Sequence, residues 1–345
     1  VSRETGGRRA PTLEDVAARA GVSRATASRV VNEDLRVRPA AREAVLDAVA
    51  ELGYRPNRAA RSLVTREAGS IAVVVPEAED RVFRDPFFAS LLVSITQALA
   101  DSTVQVLLAM GRPGDGCRKI EKYLRGGGTD GAIVVSHHQD EEIWRALRET
   151  RLPAVHVGRP QAGGAGLPYV DMDNEAGGAL AAEHLISRGR RRIGTIAGPQ
   201  DMAPGADRLS GWRRAMRAAG LADDLVEIAD FSAESGGERM RRLLRREKGL
   251  DAVFVASDLM AVAAIHEIQA AGLQVPEQIA VVGFDDSQAA SLSRPSLTTV
   301  RNPVDSLATT AVDMLLRLMQ GEEAKSVVLD TQLVRRASTD FSVLK

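Results

Sequence analysis

At 345 residues, with 45 Lys plus Arg against 46 Asp plus Glu, the chain is near neutral and long enough for two or three domains around a large core. Its one cysteine, Cys117, excludes an internal disulfide and any multi-thiolate metal site, and with aromatics at only 3% a binding pocket must rest on a few rings. No apolar run approaches the roughly 18 residues of a membrane span, and the polar start VSRETGGRRAP lacks a signal-peptide core, so a cytoplasmic protein without membrane contact is expected.

The first eleven residues read as a flexible basic tail. From Thr12 to Asn32, TLEDVAARAGVSRATASRVVN is predicted to form two short helices joined by a tight turn. Thr12 with Asp15 makes a capping-box-like start; Leu13, Val16, Ala17 and Ala20 recur at helical spacing, and Gly21 closes the helix. Ser23 can cap the second helix. There Ala27, Val30 and Val31 pack back on the first, leaving Arg24, Ala25, Thr26, Ser28 and Arg29 outward. Small and basic residues on the N-terminal half of such a helix suit a DNA major groove. Residues 41–52 form a third amphipathic helix. The charge is uneven: residues 1–66 hold thirteen Arg against eight Asp plus Glu, a net of +5, which leaves −6 for the rest. A basic segment on an acidic body is the footprint of phosphate contact.

From Ser70 the pattern changes to short β-branched runs between amphipathic helices. Strands are predicted at 71–75, 104–109, 131–135 and 154–157, with helices near 87–101, 117–125 and 140–149. A second series follows: helix 175–188, strand 193–198, helix 207–219, strand 226–230, helix 235–246, strand 252–256, helix 259–271 and strand 279–284. Such βαβ repetition implies parallel sheets covered on both faces, in two doubly wound lobes. The stretch 297–321 reads as a crossover followed by a long helix returning to the first lobe, and a last strand is expected near 332–335. Ligands of open α/β sheets lie at the carboxyl ends of the strands.

The run D-V-A-x-x-A-G-V-S-x-x-T-x-S-R-V-V-N, followed by G-Y-x-P-N-x-x-A-R-S-L over Gly53–Leu63, resembles the headpiece of the lac repressor (LacI/GalR) family. The resemblance covers nearly the whole chain and is strongest at 12–66, 169–212 and 251–301. It implies an all-α helix-turn-helix headpiece plus an α/β periplasmic-binding-protein-like core of two doubly wound lobes. The expected division is a tail at 1–11, a headpiece at 12–56, a hinge helix and linker at 57–68, and a core at 69–345. Within the core the first lobe spans about 69–168 and 301–327, the second about 169–297 and 328–341. Arg38 and Ala41 depart from the family's Ser and Thr, so the third helix loses its usual cap, for which Pro39 in the first turn partly compensates.

The resemblance implies DNA contacts from Thr12, Ser23, Arg24, Ala25, Thr26, Ser28, Arg29 and Asn32, and from Tyr54, Asn57, Arg58, Ala60 and Leu63 around the hinge. A hinge helix at 57–65 is too short to stand alone in water, and the family pairs it in the dimer, where Leu63 wedges into the minor groove. One headpiece reads one half-site, so a homodimer on a near-palindromic double-stranded operator is expected; with no leucine heptads near Lys345, a tetramer is not. In the second lobe the family reaches its effector with Arg208 and stacks it on Phe231. Met202, Ser257, Asp258 and Asp285 lie at neighbouring strand ends, with Asp258 read equally as a helix cap. In the first lobe Phe83, Asp85, Phe87, Ser136, His137 and Arg159 are the candidates, with His138 beside them.

Where the purine-binding branch has an Arg and a Thr, this chain has Met202 and Pro204, which offer no polar group to a purine edge. GPQDM, YVDMDN at 169–174 and ASDLMA at 256–261 instead resemble the branch responsive to cellobiose and related oligosaccharides. A small sugar effector that releases a repressor of sugar-utilisation genes is therefore expected, and a corepressor would use the same parts. A solute-binding protein with no DNA role is the alternative, disfavoured by the headpiece. No cofactor, metal or enzymatic activity is expected. G-x-S-x-G, the Walker loop and G-x-G-x-x-G at a strand end are all absent, and Ala270 stands where H-E-x-x-H after His266 needs its second His.

Overall fold

The computed structural model describes residues 11–32, 36–55, 68–112, 115–135, 141–160 and 166–340. The chain divides after Ala68 into two compact units. In the N-terminal unit three helices, α1 (Leu13–Ala20), α2 (Arg24–Val31) and α3 (Pro39–Leu52), pack around Val16, Ala17, Ala27, Val30, Val45 and Ala48. Thr12 accepts from the Asp15 backbone N–H at 3.3 Å while the Asp15 carboxylate accepts from the Thr12 N–H at 2.8 Å, a reciprocal capping box. Gly21 ends α1 in the left-handed region at φ 66°. Arg38 precedes α3 with no side-chain cap, and a proline occupies the first turn.

The second unit holds two six-stranded sheets among the described residues. In the first, β1 (Ser70–Val75), β2 (Gln105–Met110), β3 (Gly131–Val135), β4 (Ala154–Val157), β5 (Tyr169–Met172) and β11 (Val327–Leu329) lie in the order β11-β5-β4-β3-β1-β2, all parallel. Its helices are α4 (Glu79–Arg84), α5 (Pro86–Ala98), α6 (Asp115–Arg125), α7 (Glu141–Thr150) and α13 (Val304–Met319). Alternation in β1 sends Ile71, Val73 and Val75 into one core and Ala72 and Val74 into the other, so both faces are covered.

The second sheet orders β12-β10-β9-β8-β6-β7: β6 (Ile193–Ala197), β7 (Val226–Ile228), β8 (Ala252–Val255), β9 (Ala280–Asp285) and β10 (Thr298–Arg301) are parallel, and β12 (Leu333–Val334) is antiparallel at the edge. Around it pack α8 (Asn174–Ser187), α9 (Ala203–Ala218), α10 (Ala233–Arg246), α11 (Asp258–Ala270) and α12 (Gln288–Leu292).

The chain passes between the lobes after Met172, after Arg301 and after Leu329. Two borders read from sequence, at 168 and 327, therefore move. Tyr169 is paired with His156 of β4, and Val327 with Val170 of β5, so both strands belong to the first sheet. The helix expected at 207–219 begins instead at Ala203, because Pro204 suits a first helical turn. Among the described residues no helix is long and apolar enough to cross a membrane.

Candidate effector cleft and nucleic-acid interface

On the headpiece, Ser23, Arg24, Ala25, Arg29 and Asn32 are exposed, whereas Thr26 and Ser28 are half-buried. Several of these groups are held locally. Arg24 Nε pairs with Glu14 at 2.6 Å, the Ser23 and Thr26 hydroxyls lie 2.9 Å apart, and Thr26 N–H donates to Ser23 Oγ. Thr12 spends its hydroxyl on the α1 cap, and Tyr54 packs against the headpiece core. Asn57, Arg58, Ala60 and Leu63 lie outside the described residues.

In the core unit a cavity of about 90 Å³ sits between the lobes at the carboxyl ends of the strands. Arg208 is its electrostatic centre. Starting α9 at Ala203 places Arg208 in the second turn, 5% exposed, with Nε donating to Asn174 Oδ1 at 2.9 Å and Nη1 to the Ala256 carbonyl at 2.7 Å. Its guanidinium carbon lies 3.6 Å from the centre of the Phe284 ring. Gly178 makes the placement possible, since a Cβ there would come within 2.1 Å of the Arg208 carbonyl oxygen.

Asp285 Oδ1 faces the Arg208 guanidinium at 3.8 Å, and Asp85 and Asp171 complete the acidic lining of the cavity. Burial pushes Arg208 below its ordinary value against the attraction of Asp285, Asp171, Asp258 and Asp85. Burial likewise raises Asp285 to about 8, opposed by Arg208 and reinforced by Asp258 and Asp85. Asp85 and Asp171 also lie above the usual carboxylate range through burial, each eased by backbone N–H donors. Two cations, Arg208 and the Glu77-paired Arg81, set among several reluctant carboxylates leave little net charge in the cavity and suit a neutral ligand with many hydroxyls. Phe231 supplies an apolar face. It is held at φ 68°, and its ring tip fills the space over Gly198, where a Cβ would meet Phe231 Cζ at 2.2 Å.

Of the residues singled out in sequence, the cavity brings together Asp85, Phe87, Met202, Arg208, Phe231, Ser257 and Asp285. Three fall elsewhere. Phe83 is 72% exposed, because α4 turns it away from the cleft. Arg159 reaches across the lobes and donates from Nη2 to both Asp207 oxygens at 2.8 Å, which occupies it outside the cavity wall. Asp258 is tied up accepting from the Thr299 hydroxyl at 2.6 Å and the Ser287 N–H at 2.7 Å, and lines an adjoining acidic recess that shares Asp85 and Asp285 with the cavity. Ser136, His137 and His138 lie outside the described residues.

The sequence reading missed Arg81, Asp171, Asn174 and Asn302, all of which line the cavity. Asp171 and Asn174 sit in the YVDMDN stretch already singled out, and a position just past a strand end would have flagged Asn302. Among the described residues no group of His, Cys, Asp and Glu is arranged to hold a metal.

Comparison with known proteins agrees with this architecture. Residues 12–57 match the model of bacterial regulatory proteins of the lacI family, and residues 182–339 that of the periplasmic binding protein-like domain. The HTH-type transcriptional regulator CelR of Thermobifida fusca is 45% identical over 96% of this chain and 99% of its own length. The HTH-type transcriptional repressor PurR of Salmonella typhi is 34% identical over 95% and 96%. Among solved structures, a transcriptional regulator CelR–cellobiose complex superposes with a TM-score of 0.75 at 43% identity, covering 95% of this chain and 99% of that one. The lac repressor dimer bound to operator and the anti-inducer ONPF gives 0.85 at 29% identity, covering 96% and 99%. With a helix-turn-helix headpiece, a two-lobed core and full-length relatives that regulate transcription, the chain belongs to the LacI family of bacterial regulatory proteins.

Proposed function

We propose that this protein is a cytoplasmic, homodimeric transcriptional repressor that holds a near-palindromic operator and releases it when a neutral β-linked glucose disaccharide, cellobiose or a short homologue, enters the cleft. The observation that carries the effector reading is the buried Arg208 fork beside Asp285 and the Phe231 ring in one cavity. Sugar hydroxyls can accept from the guanidinium and hydrogen-bond with the Asp285 carboxyl while the ring face lies on the aromatic. The cellobiose held by the solved CelR complex favours the same class. Exposed Arg24, Ala25 and Arg29 on α2 favour a base-reading role for that helix, with the hinge residues Asn57, Arg58, Ala60 and Leu63 proposed for the minor groove. Exposed Val93, Leu107 and Leu108 on the first lobe favour an assembly that covers them.

The test is a duplex selected from a randomised pool by the full chain. Arg29→Ala should cost about 1–3 kcal/mol on that duplex and far less on random DNA. Millimolar cellobiose should release the wild-type complex. Equal losses on both duplexes would remove the base-reading role, and release by a phosphorylated sugar or nucleoside alone would overturn the effector class.

A further inference from the structure

Two polar atoms in the cavity wall are buried with no hydrogen-bond partner among the described residues, Arg81 Nε and Asn302 Oδ1. They are complementary in kind. A guanidinium Nε–H can only donate, and an amide oxygen can only accept. Both side chains are otherwise anchored. Arg81 comes from the first lobe, where Nη1 pairs with the buried Glu77 carboxylate at 3.0 Å, and its guanidinium carbon lies 5.6 Å from the centre of the second lobe's Phe231 ring. Asn302 sits where the chain crosses between lobes. Its Nδ2 donates to Asp285 Oδ1 at 3.3 Å and its backbone N–H to the Asp285 carbonyl at 3.2 Å, which leaves Oδ1 unused. An unpaired buried group is costly, and its usual explanation is an absent partner or a functional role.

We propose that Arg81 and Asn302 are specificity-determining effector contacts, a donor and an acceptor that together select a ligand bearing free hydroxyl groups. The inference rests on the sugar-effector reading and sharpens it. An ether or ester oxygen can accept from Arg81 but has no proton for Asn302, whereas a hydroxyl serves either position. Because Arg81 and Phe231 belong to different lobes, a sugar stacked on the ring and bonded to Nε–H ties the lobes together.

The experiment is calorimetric titration of the full chain with cellobiose, combined with thermal unfolding without sugar. Asn302→Leu removes the unpaired oxygen and, with Nδ2, the long hydrogen bond to Asp285, opposing effects that should leave the sugar-free protein melting near the wild-type midpoint while cellobiose affinity falls ten- to hundredfold. A structural role alone would lower both. Arg81→Met would remove a charge partner of buried Glu77, so it is made together with Glu77→Gln, and the double variant should lose affinity similarly at an unchanged midpoint. Affinities within twofold of wild type in either variant overturn the assignment and leave the sugar reading intact. A wild-type protein that binds no cellobiose overturns the sugar reading and this inference with it.

Discussion

Asp285 ends β9 at φ 116° and Asp286 follows at φ 55°, a pair of left-handed residues that costs roughly 1–3 kcal/mol each. That cost is spent at the cleft, where the turn points the Asp285 carboxylate at Arg208. Since burial lifts its pKa to about 8, far above an unfolded aspartate, the folded state prefers Asp285 protonated. Its contribution to stability is therefore complete below about pH 4 and is lost as pH rises through about 8. Asp285→Asn should melt several degrees above the wild type at pH 8, with the gap closing toward pH 4, and should bind cellobiose poorly. A gap that calorimetry finds independent of pH would contradict the burial argument. Arg208, Phe231 and Asp285 were legible in sequence because each follows a recognisable strand in family register. In the loop after β1 the sequence offered Asp85 and Phe87, which line the cavity, but also Phe83 and not Arg81, since choosing between those two required knowing that α4 forms there. Arg81 and Phe83 stand two positions apart, about 200° around a helix, so when one faces the cleft the other faces solvent.

At the scale of elements, the crossing of α8 and α9 sets the site. A Cβ on Gly178 would lie 2.1 Å from the Arg208 carbonyl oxygen and one on Gly211 1.9 Å from that of Glu175, closer than any side chain tolerates. Helix propensity alone favours Ala over Gly by about 1 kcal/mol in a helix interior. Overpacking against backbone costs about 1–3 kcal/mol, and here it should win. Gly178→Ala is expected to destabilise the core in urea and to weaken cellobiose binding by displacing Arg208, whereas a stabilised variant would mean that the helices yield without cost. The long strands and helices of the core were readable from periodicity. The strands β5, β10 and β11 were not, because their place in the sheets depends on partners distant in sequence. Arg159 shows the same limit: position after a strand suggested a ligand contact, but Asp207, distant in sequence, takes up its fork.

On the scale of the whole core, the lobes are joined by three passages of chain and by side chains that bridge the cleft. The cavity of about 90 Å³ adjoins a recess of about 680 Å³ along Asp85, Phe87, Asp285 and Asn302, which line both. The response to an effector depends on how differently it binds more open and more closed arrangements of the lobes. Arg159 and Asp207 bias that equilibrium toward closure. Their side chains are 44% and 23% exposed, which limits the pair to about 0.2–1 kcal/mol, a roughly one- to fivefold change in closed population. Asp207→Asn should therefore lengthen the distance between spin labels placed at Lys119→Cys and Arg245→Cys, one on each lobe, and speed cellobiose release by a similar factor. Charge reversal, Arg159→Asp with Asp207→Arg, should restore both, and high salt should erase the difference. Identical distance distributions in wild type and Asp207→Asn at low salt would mean that the bridge follows closure without influencing it.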